Sequence, residues 1–119
     1  MAAVITSTGF QNAVDYKIIQ CTGIDDTTTQ TNLALTSGTL HAVVIDSANS
    51  SDNVSVHILD TADTSVTQLA VKGKASSTKT ITIPGGYPFT ELKFWVSKLS
   101  TAADTTAFAG NVSLTFVCG

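Results

Sequence analysis

The sequence predicts an all-β domain, because short runs rich in Val, Ile, Thr and aromatic residues recur between clusters of Ser, Asn, Asp and Gly. No segment keeps the apolar period of a helix for three turns. Eight or nine such runs separated by turn residues are typical of two packed sheets. We therefore expect a two-sheet antiparallel β-sandwich, a jelly roll of about eight strands, with an immunoglobulin-like sandwich as the alternative.

The predicted strands follow the apolar runs, and the polar clusters between them are the predicted turns. These strands are Ala3–Thr6, Tyr16–Cys21, Asn32–Thr36, Thr39–Asp46, Val54–Asp60, Thr67–Val71, Lys79–Ile83, Leu92–Leu99 and Asn111–Val117. The longest polar connections are DDTTTQT at 25–31 and STAADTTAFAG at 100–110. A chain of 119 residues buries one core without staples. We expect a single domain over residues 1–119, with residues 1–10 as a candidate N-terminal arm.

The segments 39–46 and 54–60 flank the turn-rich sequence SANSSDN and are predicted to pair as a hairpin. Residues 42–45 of the first segment are apolar on both faces of a strand. One face is expected to join the core, so the other needs a cover from a loop or from another subunit. In the second segment, alternation places His57 on the face opposite to Val56.

Half of the aromatic residues lie in IPGGYPFTELKFWVS, residues 83–97. We expect the preceding strand to end at Pro84 and the two glycines after it, because proline lacks a ladder donor and glycine admits positive φ. Phe89 is expected to pack under the resulting corner. Alternation then resumes at Leu92, which with Phe94 faces the core.

Trp95 lies on the opposite face of that strand, beside Lys93 and Ser97, and two interpretations are open. A large aromatic side chain in such a place is most often covered by a loop or by a subunit contact. Alternatively, it is an exposed platform on which a sugar ring stacks, with Lys93, Ser97 or Tyr87 as hydrogen-bonding neighbours. Sugar-binding sandwiches usually carry more than one aromatic residue on such a face, and here there is one.

The two cysteines, Cys21 and Cys118, lie near opposite ends of the chain. Two reduced, buried thiols that act as small apolar side chains are the simpler interpretation. A bridge between the first and the last strands is the alternative, because terminal strands of a sandwich often lie side by side.

The charge composition argues against several kinds of partner. The net charge is −3, all six basic residues are Lys, and only 13% of the residues are charged. Without Arg, the forked donors that read phosphate and guanine are missing, and an acidic chain lacks the basic surface that anionic membranes attract. We expect no nucleic-acid partner and no membrane partner. A hydroxyl-rich, charge-poor surface favours packing against neighbouring subunits instead.

No motif predicts catalysis, a metal or a cofactor. His41 and His57 fall on the strands predicted to pair, but zinc needs three or four ligands and no second cluster is present. The Asp- and Asn-rich turns lack the spacing of a calcium loop. There is no GxSxG serine, no paired-carboxylate site and no phosphate-binding loop. We therefore expect a protein that is not an enzyme and carries neither metal nor cofactor.

Residues 37–117, about two-thirds of the chain, carry three connected sequence features. These are SGTLHAVVIDSANSSDNVSVHILDTA, then TKTITIPGGYPFTELKFWVS, then the loop TAADTTA before the last strand. In this combination the chain resembles small β proteins of tailed bacteriophages, especially marine ones. The two cysteines are not part of that pattern. The resemblance implies a virion component: a head decoration or cement protein, a tail accessory or a fibre-tip module.

The function expected from the residues and the resemblance together is a non-enzymatic capsid decoration protein that stabilises the head shell. Its expected partners are the major capsid protein or another virion protein and further copies of itself, with a trimer favoured. A carbohydrate-binding sandwich of a tail fibre or adhesion protein, with a surface glycan as partner, is the alternative. The start MAAVITSTGF resembles no signal peptide, so we expect synthesis in the host cytoplasm and a place in the virion. The candidate interface residues are Trp95, Lys93, Ser97, Tyr87, Val4, Ile5 and Phe10.

Overall fold

The structure, a computed structural model, describes residues 4–9, 17–30, 38–59, 69–101 and 103–119. These residues contain strands and no helix, which confirms the all-β prediction. The strands are β1 (Val4–Gly9), β2 (Lys17–Ile24), β3 (Gly38–Asp46), β4 (Ser55–Leu59), β5 (Leu69–Lys72), β6 (Thr78–Phe89), β7 (Lys93–Ser97) and β8 (Val112–Cys118). The predicted strand at 32–36 lies outside the described residues.

The strands form two antiparallel sheets whose connections have jelly-roll topology. One sheet has the order β1-β2-β8-β3-β6, and the other has the order β5-β4-β7. The pairs are nested along the chain: β4 with β5, β3 with β6, and β2 with β8. Between the last two pairs, Gln30 bridges to Phe94 of β7 through two backbone hydrogen bonds of 2.7 and 3.2 Å. A long hairpin rolled up in this way is a jelly roll and not an immunoglobulin-like sandwich.

The predicted hairpin between residues 39–46 and 54–60 is wrong. Strand β3 pairs with β6 and β8 in the larger sheet, whereas β4 pairs with β5 and β7 in the smaller one. The polar connection between β3 and β4 therefore crosses from one sheet to the other. His41 on β3 and His57 on β4 therefore lie in different sheets, and the prediction that they fall on paired strands is wrong. Turn residues mark where a strand ends, but they do not determine which strand the chain joins next.

Strand β6 does not end at Pro84, which corrects a second prediction. Its pairing with β3 jumps from Ala42↔Thr82 to Leu40↔Tyr87, so the residues after Thr82 form a bulge on the β6 side. Both glycines of the bulge have positive φ, 77° and 75°. Because β6 is the edge strand of its sheet, a proline without an N–H is tolerated there.

The core lies between the two sheets and is built from inward-facing side chains of both. Phe94 of β7 and Phe116 of β8 meet there with ring centroids 5.1 Å apart at 50°, a tilted contact that joins the sheets. Phe89 and Leu92 are also buried in this core, as predicted. Full burial of an aromatic or aliphatic side chain stabilises a fold by about 1.5–3 kcal/mol, so these contacts hold the sandwich together.

The structure tests the predictions for the N-terminal arm and for the two cysteines. Residues 4–9 form β1, which pairs over its whole length with β2 at the edge of the larger sheet, so this part of the predicted arm is an ordinary strand. Cys21 and Cys118 are both buried, and neither forms a disulfide bond. Cys21 pairs with Leu114 and Cys118 pairs with Lys17, four residues apart along β2 and β8. The interpretation as two separate buried thiols is confirmed, and burial raises the pKa of Cys21 to about 12.

Candidate functional site

Trp95 lies on the outer face of the three-stranded sheet, yet its side chain is only 6% exposed. Its neighbours Phe94 and Val96 point into the core, as the alternation predicts. The register of β4 and β7 places Trp95 directly opposite His57. The two rings stack with centroids 4.5 Å apart and an interplanar angle of 4°. The interpretation that Trp95 is covered is confirmed, and the interpretation as an exposed sugar platform is wrong.

The cover is a segment that follows β7, residues 98–101 and 103–106, which we call the covering loop. The indole Nε1 of Trp95 donates a hydrogen bond to the backbone carbonyl of Asp104 over 2.7 Å. A buried indole N–H usually requires an acceptor of this kind. The covering loop therefore removes Trp95 from solvent and at the same time satisfies its polar atom.

The carboxylate of Asp104 holds the covering loop in shape. It accepts hydrogen bonds from the backbone N–H of Leu99 at 3.1 Å, from the Thr106 N–H at 3.3 Å and from the Thr106 hydroxyl at 2.6 Å. These donors, the Thr106 hydroxyl first among them, lower the pKa of Asp104 to about 2. The Lys98 N–H also donates to the Thr106 carbonyl at 2.9 Å, which joins the two ends of the loop.

His57 connects the sheet to the start of the covering loop. Its Nε2 lies 2.6 Å from the Ser97 hydroxyl oxygen and 3.0 Å from the Leu99 carbonyl oxygen. The Ser97 hydroxyl donates to the same Leu99 carbonyl at 2.9 Å. Because that hydroxyl proton is already engaged, we assign a proton to Nε2 of His57, and this N–H is shared between the Ser97 oxygen and the Leu99 carbonyl. Burial lowers the pKa of His57, so the ring is held neutral.

Ser97, His57 and Asp104 are the residue types of a hydrolytic triad, but their arrangement is different. In a triad the carboxylate binds the second ring nitrogen of the histidine and the serine oxygen faces a substrate. Here the Asp104 carboxylate is used within the covering loop. Ser97 is fully buried with its proton on a carbonyl. The geometry therefore supports a structural anchor, which we call the loop anchor, and it offers no exposed nucleophile.

Three of the predicted interface residues lie on β7, and the chain itself covers two of them. Trp95 is under the covering loop and Ser97 has no exposed surface. Neither presents a surface to a partner, which corrects the sequence prediction. The physical reason for this correction is that the covering loop, which reads in the sequence as an ordinary polar connection, folds back over the sheet. Lys93 is half-buried at the other end of the strand, where it pairs with Leu59.

Tyr87, Val4 and Ile5 lie in the five-stranded sheet, so they do not join Trp95 of the smaller sheet in one site. Tyr87 is half-buried on the edge strand β6 and packs against the core. Val4 and Ile5 belong to β1 at the opposite edge. Phe10 lies outside the described residues. A contact role for Tyr87, Lys93, Val4 and Ile5 stays a prediction.

The loop anchor was missed because it depends on pairing between distant strands. Alternation alone places His57 and Trp95 on outward faces of their own strands. Only the β4–β7 register brings them opposite each other. A useful signal was present in the sequence: a single strand carrying Trp and Ser on its outer face, followed at once by a turn-rich segment with an Asp.

The outer face of the five-stranded sheet is the other candidate surface. Two rows of side chains cross it, each set by the strand register: Gln20, Thr115, Val44 and Thr80 in one row, and Ile18, Val117, Ala42 and Thr82 in the next. We call these eight residues the threonine face. None of them is charged, and they are half-buried or exposed. The prediction that strand 39–46 presents a second apolar face is confirmed for Ala42 and Val44.

The threonine face also borders a shallow groove of about 330 Å³, in which Thr78, Ser113 and Asp46 meet the first row. Asp46 closes one end of the face, where its carboxylate accepts from the Ala48 N–H at 3.1 Å and from the Thr78 hydroxyl at 3.3 Å. The charge therefore sits at the margin of the face and is already hydrogen-bonded.

Within the part of the chain that the structure describes, no group of three His, Cys, Asp or Glu side chains is placed to hold a metal ion. The same residues include no helix long and apolar enough to cross a membrane. Comparison with known protein families, with curated proteins and with solved structures finds no match for this chain.

Proposed function

We propose that this chain is a non-enzymatic structural subunit of a bacteriophage virion, a capsid decoration or cement protein that binds the head shell as a homo-oligomer, with a trimer favoured. In this proposal the major capsid protein is the partner, and the chain is made in the host cytoplasm and carried in the virion. The sequence resemblance supports the phage assignment. The jelly-roll topology supports it at the level of fold, because viral capsid and lectin domains use that topology.

The observation that carries the proposal is the threonine face. It spans four strands of one sheet and holds no charged side chain, so a partner surface displaces water from it without burying an unpaired charge. Its hydroxyls exchange hydrogen bonds with water for hydrogen bonds with a partner, and its valines and isoleucine contribute apolar area. Several copies at a symmetric junction of the shell then add modest contacts into high avidity.

The test compares two variants, each with one lysine added on the outer face of a sheet, at the half-buried Thr115 or at the exposed Ala70. Thr115→Lys places a charge in the middle of the threonine face, and Ala70→Lys places one on the outer face of the smaller sheet beside His57. We expect light scattering on a sizing column to give one oligomer mass for the unchanged protein and for Ala70→Lys, with or without reductant and chelator. Thr115→Lys is expected to run as a monomer with unchanged thermal unfolding.

Binding to the shell is measured by co-sedimentation with capsids of the source virus that lack the protein. The Thr115→Lys variant should stay in the supernatant while Ala70→Lys sediments. If Thr115→Lys keeps both its mass and its capsid binding, the contact lies elsewhere and the threonine face is not the docking surface. If the unchanged protein binds no capsid, the decoration role itself is wrong.

The alternative function, a carbohydrate-binding module on a fibre or adhesion protein, loses the aromatic platform on which it was based, since Trp95 is covered. It stays a prediction, and the half-buried Tyr87 is the other aromatic side chain on which it depends.

A further inference from the structure

A polar cleft opens at the end of the three-stranded sheet, on the side where β4, β5 and β7 carry Ser55, Lys72 and Ser97 in one row. Its volume is about 500 Å³, within the range of pockets that hold small molecules. The lining comes from three separate segments: residues 51–55, residues 72, 73 and 75, and residues 98–100. None of these lining residues belongs to the threonine face.

The walls of the cleft are joined by hydrogen bonds between segments that are far apart in the sequence. The Asn53 side-chain oxygen accepts from the Ala75 N–H at 2.9 Å, and the Asp52 carboxylate accepts from the Ala109 N–H at 2.9 Å. Gly73 lies so close to the sheet that an added Cβ would come 2.6 Å from a methyl carbon of Ile45. A site of this kind loses little conformational entropy on binding.

The wall formed by the covering loop is fixed by the loop anchor. Leu99, whose carbonyl receives the hydrogen bonds from His57 and Ser97, also lines the cleft, and its side chain is 50% exposed. Among the described residues it is the one large apolar side chain with such exposure. It offers a small apolar surface at the rim of an otherwise polar cleft.

The charges in the cleft are of two kinds. Lys98 is paired with Asp52 at 3.5 Å. Lys72 is exposed and has no ion pair among the residues that the structure describes. Two of the six lysines of an acidic chain thus meet in one cleft, and one of them has no carboxylate partner there.

The other polar groups of the cleft fit a ligand with several hydroxyls better than they fit a simple anion. The Asp52 carboxylate has acceptor sites left after its contacts with Ala109 and Lys98, so it calls for a ligand that carries O–H or N–H donors. The Asn53 amide nitrogen and the hydroxyls of Ser51 and Ser100 can donate to ligand oxygens. A ligand that satisfies this lining carries several hydroxyls, one negative group for Lys72 and a C–H surface for the rim.

From this lining we propose that the cleft is a binding site for an acidic saccharide, with its carboxylate at Lys72 and its hydroxyls between Asp52 and the serines. Charge-assisted hydrogen bonds from an ammonium to a carboxylate are about twice as strong as neutral ones, so Lys72 discriminates acidic from neutral sugars. This site goes beyond the proposed structural role and does not depend on it, because the cleft and the threonine face lie on different sheets.

The experiment is an NMR titration of the ¹⁵N-labelled full chain with three acidic sugars: glucuronate, galacturonate and N-acetylneuraminate. Glucose supplies hydroxyls without the charge, and acetate supplies the charge without hydroxyls. We expect saturable shifts of the amides of residues 51–55, 72–75 and 98–100 with at least one acidic sugar, and binding weaker by about tenfold or more with glucose and acetate.

Lys72→Gln is the test variant, and Lys79→Gln on β6 is its matched control, with the same charge change at another exposed lysine. Lys72→Gln should weaken binding of the acidic sugar about tenfold, and Lys79→Gln should leave it unchanged. Both side chains are exposed, so both variants are expected to keep the amide spectrum of the folded protein.

Three results would overturn the proposal. No saturable shift with any of the acidic sugars means that the cleft is not a saccharide site. Equal binding of acetate means a simple anion site without sugar recognition. Equal binding of glucose together with an unaffected Lys72→Gln variant means that the charge has no role.

Discussion

The two sheets of this jelly roll present their outer faces to very different surroundings. On the three-stranded sheet, Trp95 and His57 stack on each other and are buried under the covering loop. On the five-stranded sheet, the threonine face is left open by all described residues, and its side chains are half-buried or exposed. Both faces follow the same period of two along their strands, so alternation identifies the outer side of a strand without revealing whether anything lies above it.

The chemistry of the two faces explains the difference. Indole and imidazole are large and apolar over most of their surface, and their N–H groups are easily satisfied by backbone carbonyls. The Asp104 and Leu99 carbonyls of the covering loop supply those acceptors. The threonine face mixes well-hydrated hydroxyl and amide groups with small aliphatic side chains, so it is stable in contact with water in the monomer and carries no large ring that requires a cover.

Removal of Trp95 should have the largest effect. Trp95→Ala deletes a buried ring, its stacking on His57 and its hydrogen bond to the covering loop, and is expected to cost about 3–5 kcal/mol of unfolding free energy. Denaturation by urea, followed by circular dichroism, measures the loss. The matched control is Leu99→Ala, an exposed apolar side chain, which should cost less than about 1 kcal/mol. Equal stability of both variants would mean that Trp95 contributes no more than a surface side chain.

A clash in the turn before β8 should have the next largest effect. Gly110 has φ +73°, and a Cβ there would lie 1.9 Å from the carbonyl oxygen of Asn49. Gly110→Ala should therefore destabilise the protein by more than about 2 kcal/mol, because the residue must leave the left-handed region or displace the backbone. Gly85→Ala is the comparison: its φ is +77°, but nothing lies within 4 Å of its Cβ, so only conformational strain remains. The melting temperature of Gly110→Ala should be the lower of the two.

Acid should weaken the covered face in two steps. In the unfolded chain, His57 takes up a proton around its ordinary pKa of 6.5. In the folded protein, burial lowers the pKa of His57, so the folded state takes up this proton only at lower pH. The free energy of unfolding is therefore highest above pH 6.5 and falls as the pH drops below it. For one proton, the free energy of unfolding changes by at most about 1.4 kcal/mol per pH unit. Asp104 adds a second loss between its ordinary pKa of 3.8 and the folded value of about 2.

The pH effect is measured as unfolding free energy in urea between pH 8 and pH 5. His57→Asn should be less stable at pH 8 and should lose less further stability on acidification. A slope that survives in His57→Asn would assign the effect to other groups.

The ion pair between Lys98 and Asp52 should have the smallest effect. The two side chains are 46% and 24% exposed, so solvent screens their attraction. Lys98→Met is expected to change the unfolding free energy by less than about 1 kcal/mol, and less still in high salt. A loss as large as that of Trp95→Ala would show that the pair holds the covering loop, and the loop anchor would then need revision.

The comparison also shows why sequence reasoning found Trp95 but misjudged part of its surroundings. Strand content and the burial of Phe94 and Phe116 follow from local alternation. The partner of β4 does not, because hydrogen-bonded pairing joins residues about forty apart, such as Ser55 and Ser97. The bulge after Thr82 was read as a strand end because proline and glycine break a regular ladder in either case.

By itself the sequence determined the fold class and most of the core, since a period of two and the size of the apolar side chains are local properties of each strand. It also determined the charge-poor surface, which is a matter of composition. The tertiary structure alone decided that His57 meets Trp95, that the covering loop hides them and that three distant segments enclose a cleft. The physical reason is that each depends on strand register and loop closure, where contacts far apart in the chain compete and only the sum of them selects one arrangement.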